Sequence, residues 1–258
     1  MSGTSQNDWD PGLYGRFRGL RLRPAIDLLR SVGPLPEGEV VDLGCGNGAV
    51  GPALKQLGRR LTGVDLSPAM LEEARATGAY DALVEADVAT WRPETPPALI
   101  FSNATLQWLR GHETLLPQLV RLLAPGGTLA VQVPHQNNAP SHRLWLSLAE
   151  EFFPGRVDPG KLPGVLLPAE YHRILSPLGQ VSLWETEYYQ ELAPDGTGHP
   201  VRRFTDATFT RPIKAPLSAE EQARLDMAYE DVIGSAYPVQ PNGHVLFPFR
   251  RMFFTVTR

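Results

Sequence analysis

The sequence predicts an α/β protein: a doubly wound, Rossmann-like, mostly parallel sheet, with a small helical cap set in before the last strand. Two observations predict the sheet. The first half of the chain alternates short apolar runs with amphipathic stretches, the pattern of successive βαβ units. Its first apolar run leads directly into Gly44-Cys45-Gly46-Asn47-Gly48, a glycine-rich turn of the kind that joins a strand to a helix beside a ligand. A third observation predicts the cap. Prolines and cations crowd the stretch after residue 190, an acidic amphipathic stretch follows, and only then does a final alternating strand begin.

Taken in order, residues 39–43 read as the first strand and about 49–57 as a helix. Residues 60–65 are the second strand. Ser67-Pro68 opens the next helix, with a hydroxyl N-cap and Pro at the first helical position, and Met70, Leu71 and Ala74 form its buried stripe. Residues 81–87 give the third strand, 92–97 a stiff loop and 98–101 the fourth strand. Residues 114–123 are helical and stop at Pro125-Gly126-Gly127; 128–133 are the fifth strand and 144–152 a further helix. In the less regular second half, 181–191 read as a strand, 218–233 as a helix, Pro241-Asn242-Gly243 as a turn and 246–257 as the last strand. The expected organisation is a single domain over 1–258, with an N-terminal helical lid over 1–30 and a substrate-side cap insertion over 190–240.

A formal net charge of −4 gives no electrostatic reason to expect a nucleic-acid partner. No apolar stretch approaches the ~20 residues of a membrane span, and the start lacks a basic-then-apolar leader pattern. Cys45 is the only cysteine, so no intramolecular disulfide forms. A cytoplasmic protein without membrane contact is expected. The histidines and the cysteine show no metal-ligand spacing, so no metal is expected.

Glycines after the first strand let the backbone take positive φ and pass close under a ligand; a plain tight turn is the alternative. Asp42 ends the strand just before them. A carboxylate there repels a pyrophosphate and suits a ligand with a positive amino group. Asp65 ends the second strand, about 20 residues on, where an acid accepts from two ribose hydroxyls. Helix N-capping is the plainer alternative for either acid. Read as G-x-G-x-x-A over Gly44, Gly46 and Ala49, the loop also leaves an NAD-type oxidoreductase open.

Four segments in this order resemble the successive motifs of class I S-adenosylmethionine-dependent methyltransferases: residues 41–48, 63–71, 85–87 and 122–127. Asn47 stands where that family often has Pro. Further segments resemble the trans-aconitate methyltransferases: 8–14, 23–25, 86–88, 103–108, 129–134, 140–142, 188–189 and 237–243. Two stretches depart from that pattern. Pro134-His135-Gln136-Asn137 lacks the family's acidic residue after the Pro, and Phe209 replaces a Gly.

The resemblance implies S-adenosylmethionine as cofactor, an antiparallel last strand, and a methyl ester formed on a small di- or tricarboxylic acid. It implies that Asp42, Gly44, Cys45 and Gly46 hold the methionine part and Asp65 the ribose. Leu66 and Met70 then flank the adenine, Asp87 and Val88 meet its edge, and Asn103 lies near the sulfonium. Tyr14 and Arg23 close the cofactor from the N-terminal side. For the acceptor, the candidates are Tyr14, Trp108, His142 and Arg211, with Arg202, Arg203 and Lys214 as neighbouring cations; Arg recognises carboxylates with a two-pronged fork. Each has a plainer reading: a packing indole, a surface or capping His, a solvated basic face. A nucleophilic role for Cys45 lacks a partner base. No acid–base pair is expected, because a carboxylate is already ionised at neutral pH; Asn103 and Trp108 position only. Competing readings are methyl transfer to another oxygen, nitrogen or carbon, and a cofactor-binding protein without turnover.

Overall fold

The computed structural model describes residues 18–258 apart from 195, 197, 207 and 208, with side chains from residue 22 onward. In chain order the elements are α1 (Arg18–Arg30), β1 (Val40–Leu43), α2 (Gly51–Lys55), β2 (Leu61–Asp65), α3 (Pro68–Ala76), β3 (Ala82–Glu85) and β4 (Leu99–Asn103). After a 3₁₀ turn over Leu106–Trp108 come α4 (His112–Leu122), β5 (Thr128–Pro134), α5 (Pro140–Phe152), α6 (Pro168–Leu175) and β6 (Gln180–Leu192). The chain ends with α7 (Pro200–Asp206), α8 (Arg211–Lys214), α9 (Ala219–Ala236) and β7 (Val245–Thr257).

The seven strands form one sheet in the order β3-β2-β1-β4-β5-β7-β6. β1 pairs in parallel with both β2 and β4, β2 with β3, and β4 with β5. β7 runs antiparallel to β5. Arg258 exchanges hydrogen bonds with the 126–127 turn before β5, while the His135 N–H just past it donates to Arg250 further back along β7. The chain winds outward from β1 through β2 to β3, then crosses back to β4. The order therefore reverses between β1 and β4, where an open α/β sheet leaves a crevice beyond its strand ends.

The described residues divide into two compact units. The first holds the chain up to Val133 with Val165–Glu185 and Met252–Arg258; the second holds Pro134–Gly164 and Thr186–Arg251. In the first, Val41, Leu43, Ile100, Leu129 and Val131 from the strands pack with Leu115, Leu116 and Leu119 of α4 and with Tyr171 of α6, all buried. These strands read as continuous apolar runs because helices cover both faces of a parallel sheet. Ser67 caps α3 as expected, its Oγ accepting the Met70 N–H at 3.3 Å, and Met70, Leu71 and Ala74 are its buried face.

In the second unit the Trp145 ring of α5 stacks on Tyr229 of α9 with centroids 3.9 Å apart. Trp145 Nε1 donates to Thr205 at 2.9 Å, and the Tyr229 hydroxyl donates to the Ser141 carbonyl at 2.9 Å. These contacts make α5 part of the same unit as α7 and α9, so the unit starts at Pro134 and is larger than the 190–240 insertion expected. α9 opens with a capping box. The Ser218 Oγ accepts from the Glu221 N–H at 3.2 Å and Glu221 Oε2 accepts from the Ser218 N–H at 2.8 Å.

α2 is shorter than the sequence predicts. Residues 45–50 are spent on turns, with the Gly48 N–H bonded to Cys45 O and the Gly51 N–H to Gly48 O. Helices α6, α7 and α8 have eight, seven and four residues, too short for a helical period to register in a sequence.

Candidate active site

The first unit contains a cavity of about 340 Å³ at the carboxyl ends of β1, β2 and β4. Asp42, Gly44, Cys45, Gly46, Asp65, Leu66, Met70, Asp87, Val88, Asn103 and Trp108 all line it. Residues spread over more than sixty positions thus converge on one pocket, because parallel strands end at the same edge of a sheet.

The glycine loop is fixed from both sides. The Gly44 and Cys45 N–H groups both donate to the Val64 carbonyl, at 2.8 and 3.0 Å. Gly44 has φ +78°, and a Cβ there would lie 2.2 Å from the Thr105 hydroxyl, which itself donates to the Gly44 carbonyl at 3.1 Å. Gly46 has φ +53°, but a Cβ there meets no protein atom within 4 Å. The loop backbone at Gly46 therefore borders open space, as a ligand cradle requires.

Asp65 engages both oxygens: Oδ2 accepts the Gly46 N–H at 2.8 Å and Oδ1 the Ser67 N–H at 2.9 Å. An ionised carboxylate has about four acceptor sites, so capacity for two hydroxyls remains. Asp42 is 2 % exposed, and its Oδ2 accepts from the Tyr80 hydroxyl at 2.7 Å. Burial pushes its carboxyl up to about 7; the Tyr80 hydrogen bond opposes that rise and the nearby Asp65 adds to it. A buried carboxylate in this state gains a partner from any cation placed beside it. Leu66 is 65 % exposed on the pocket side of α3, whereas Met70 and Val88 are buried. Asp87 is exposed, its Oδ1 accepting from the Ala89 N–H at 2.8 Å.

At the end of β4, Asn103 Oδ1 is buried without a hydrogen-bond partner. A buried polar atom left in that state is costly, and Asn103 lines the cavity. The next residue, Ala104, has φ +55°, held by its N–H on the Gln132 carbonyl at 2.9 Å and its carbonyl on Gln107 Nε2 at 2.6 Å. Strain of this kind in a non-glycine residue collects at functional sites. The two acceptor carboxylates and the apolar wall thus fit a ligand with an ammonium at Asp42, a diol at Asp65 and a flat apolar part along Leu66, Met70 and Val88.

Other expected residues lie elsewhere. Tyr14 is outside the described residues. Arg23 is not in the pocket wall: its side chain is 77 % exposed, 3.9 Å from Asp27 one helical turn on, and its neighbour Leu22 lines the cavity instead. Successive residues on a helix point about 100° apart, so only one of the two faces the pocket. Cys45 is buried, its thiol pushed up by burial and by Asp42 and Asp65, so it stays protonated.

His142 is neither a surface residue nor a cap. It is buried in α5, its Nδ1 3.0 Å from the Ser141 hydroxyl and its ring 4.2 Å from that of Phe209. Burial pushes its imidazole down to about 3, so it is neutral at physiological pH. The two departures from the family pattern both lie in the second unit. Phe209 is buried against His142, and Gln136 extends the strand ladder, its Nε2 donating to Pro248 O and its Oε1 accepting from the Arg250 N–H, both at 2.9 Å.

Nor are all the cap's cations available to a substrate. Arg202 pairs with Glu230, with Asp206 at 2.8 Å and with Asp226 at 3.9 Å. Lys214 pairs with Asp206 at 2.6 Å and Asp226 at 2.5 Å. Arg203 is half-buried in α7, and Arg211 is exposed at the start of α8. Among the described residues no group of His, Cys, Asp and Glu is arranged to hold a metal ion, and no helix is long and apolar enough to cross a membrane. The sequence reading missed Tyr80 and Thr105. A signal for Tyr80 existed in Gly63, a glycine inside a strand, which marks close approach by another group.

A methyltransferase-domain family model matches residues 41–131. Over its length the chain is similar to trans-aconitate 2-methyltransferases. It is 42 % identical to that of Methylobacterium radiotolerans over 95 % of this chain and 96 % of the relative. It is 40 % identical to that of Escherichia coli O17:K52:H18 over 98 % and 99 %. Two solved structures share the fold. One is a SAM-dependent methyltransferase from Archaeoglobus fulgidus, with TM-score 0.51 and 16 % identity over 96 % of this chain and all of that one. The other is phosphoethanolamine N-methyltransferase 2 from Haemonchus contortus, with TM-score 0.54 and 17 % identity over 91 % of this chain and 52 % of that one. With its strand order, its glycine loop and this full-length likeness, the chain belongs to the trans-aconitate 2-methyltransferase family.

Proposed function

We propose that this chain transfers the methyl group of S-adenosylmethionine to a carboxylate of a small tricarboxylic acid of the trans-aconitate type, forming a methyl ester. The observation that carries this reading is the identity near 40 % over almost the whole chain, far beyond the 41–131 stretch matched by the methyltransferase-domain model. Family membership also sets aside the dinucleotide alternative.

When bound, S-adenosylmethionine supplies a methyl carbon on a positively charged sulfur, open to direct displacement by a carboxylate oxygen. Asp42 receives the ammonium and Asp65 the ribose hydroxyls. Gly44 and Gly46 carry the backbone beneath the methionine part; Leu66, Met70, Asp87 and Val88 surround the adenine. Asn103 supplies its unpartnered carbonyl beside the sulfonium, and Trp108 provides an apolar wall. Arg211, exposed at the start of α8, is the residue to test for the acid's remaining carboxylates, because its guanidinium can grip a carboxylate with a two-pronged fork. The chain's task is then positioning and exclusion of water. No base is required, because the attacking carboxylate is ionised at neutral pH.

The test is an assay with methyl-labelled S-adenosylmethionine against small di- and tricarboxylic acids, phenols and amines. The expected product is a base-labile methyl ester on an acid. Methylation of phenols or amines with none on any acid overturns the acceptor assignment.

A further inference from the structure

Tyr80 lies outside the motifs that the resemblance covers, between α3 and β3, and it is half-buried. Its hydroxyl donates to Asp42 Oδ2 at 2.7 Å. Its ring occupies the space that side chains would need at three glycines. A Cβ at Gly48 would lie 3.0 Å from the ring, at Gly51 2.6 Å and at Gly63 2.8 Å. Those glycines belong to the glycine loop, the start of α2 and the middle of β2. One ring therefore packs against all three segments that frame Asp42, with Ala74 sharing the approach to Gly48 and Leu83 that to Gly63, and its hydroxyl bonds the carboxylate itself. Beneath it, Cys45, Leu71 and Ala74 form a small apolar cluster against which Tyr80 packs. Burial first, and the Asp42 charge second, push the phenol far up, so it remains a donor at every working pH.

We propose that Tyr80 is a positioning residue of the cofactor site, favouring the ionised Asp42 carboxylate and orienting it toward the ligand's ammonium while its ring keys the glycine loop to β2. The inference rests on the reading of the cavity as an S-adenosylmethionine site. Besides burial itself, the groups that act on Asp42 are Tyr80 and Asp65. The phenol is the donor of the two, so it offsets part of the cost of keeping a charge in this place.

The test is calorimetric binding of S-adenosylhomocysteine from about pH 6 to about pH 9, with the Asp42 titration in ligand-free protein followed by carboxyl-labelled aspartate NMR. Wild-type affinity is expected to rise as Asp42 ionises near pH 7. Tyr80→Phe keeps the ring and removes the donor, so both midpoints move up by about one pH unit and affinity at neutral pH falls about tenfold. Asp42→Asn flattens the profile. As a second route, 3-fluorotyrosine at position 80 is a stronger donor and moves both midpoints down. Midpoints that ignore both changes overturn the proposal, even if Tyr80→Phe weakens binding or stability, because that is what a purely structural ring produces. A wild-type protein that binds no S-adenosyl compound overturns instead the reading of the cavity.

Discussion

Asp65, the last residue of β2, clasps the loop that follows β1: one carboxylate oxygen takes the Gly46 N–H at 2.8 Å while the other takes the Ser67 N–H at the start of α3. The acid proposed to meet the ribose is therefore also a fastener of the loop beneath it. Asp65→Ala is expected to weaken S-adenosylhomocysteine binding by on the order of 2–4 kcal/mol, from the lost charge-assisted hydrogen bonds and the loosened loop. Calorimetry measures the first effect, and hydrogen exchange at the Gly46 and Ser67 amides the second. Unchanged exchange at both amides would show that the clasp does not hold the loop.

Gly44 is confined by Thr105. Gly44→Ala sets a methyl 2.2 Å from the Thr105 hydroxyl at φ +78°, so the cost combines a clash with a left-handed backbone worth roughly 1–2 kcal/mol on its own. Thr105→Gly in the same chain removes the clash, which Thr105→Ala would not because the Thr105 Cβ itself would lie 2.6 Å away, and leaves the left-handed backbone cost at residue 44. A double-mutant cycle in urea should then give a favourable coupling of about 1 kcal/mol or more. Simple additivity would mean that the loop moves away from Thr105.

The stability of the ligand-free protein carries a pH signature from Asp42. Its carboxyl is raised from 3.8 to about 7 in the folded state. The folded chain therefore binds the extra proton between those values, and this contribution to stability is present below about pH 4 and lost as pH rises through 7. A ligand ammonium reverses the loss. The rise in melting temperature produced by saturating S-adenosylhomocysteine is expected to be larger at pH 8 than at pH 6, and about equal at the two in Asp42→Asn.

His142 has the opposite sign. Its imidazole is lowered from 6.5 to about 3 by burial, so the unfolded chain binds the extra proton in that window. Stability from this group is full above 6.5 and is lost as pH falls toward 3. His142→Asn should flatten the acid limb of a stability curve, read where Trp145 reports on the second unit. An unaltered acid limb would show that His142 is solvated.

Arg202 and Arg211 look alike in sequence and are expected to behave oppositely. Arg202→Ala leaves Glu230, Asp206 and Asp226 with Lys214 as their remaining cation in this network, and should cost roughly 2–4 kcal/mol of stability. Arg211→Ala should raise KM for the acid with little change in cofactor affinity. Arg211→Lys should rescue only in part, lacking the fork. A KM that does not respond to Arg211 removes it from acid recognition.

By itself, the sequence determined everything carried by neighbours along the chain. Alternating apolar runs specified the strands through β5. Ser67-Pro68 specified the start of α3, and glycines between Asp42 and a helix specified where a ligand lies. Such features depend on period, propensity and adjacency, which a sequence displays directly. Only the tertiary structure decided which remote group meets each polar side chain. Tyr80 reaches Asp42 across 38 positions and Thr105 reaches Gly44 across 61. α5 joins the second unit because Trp145 stacks on Tyr229, and the cap cations Arg202 and Lys214 prove to be paired inside their own fold. The physical reason is that a charge or hydroxyl acquires its properties from burial and from its partner. Both are set by where the chain returns, so no local pattern encodes them.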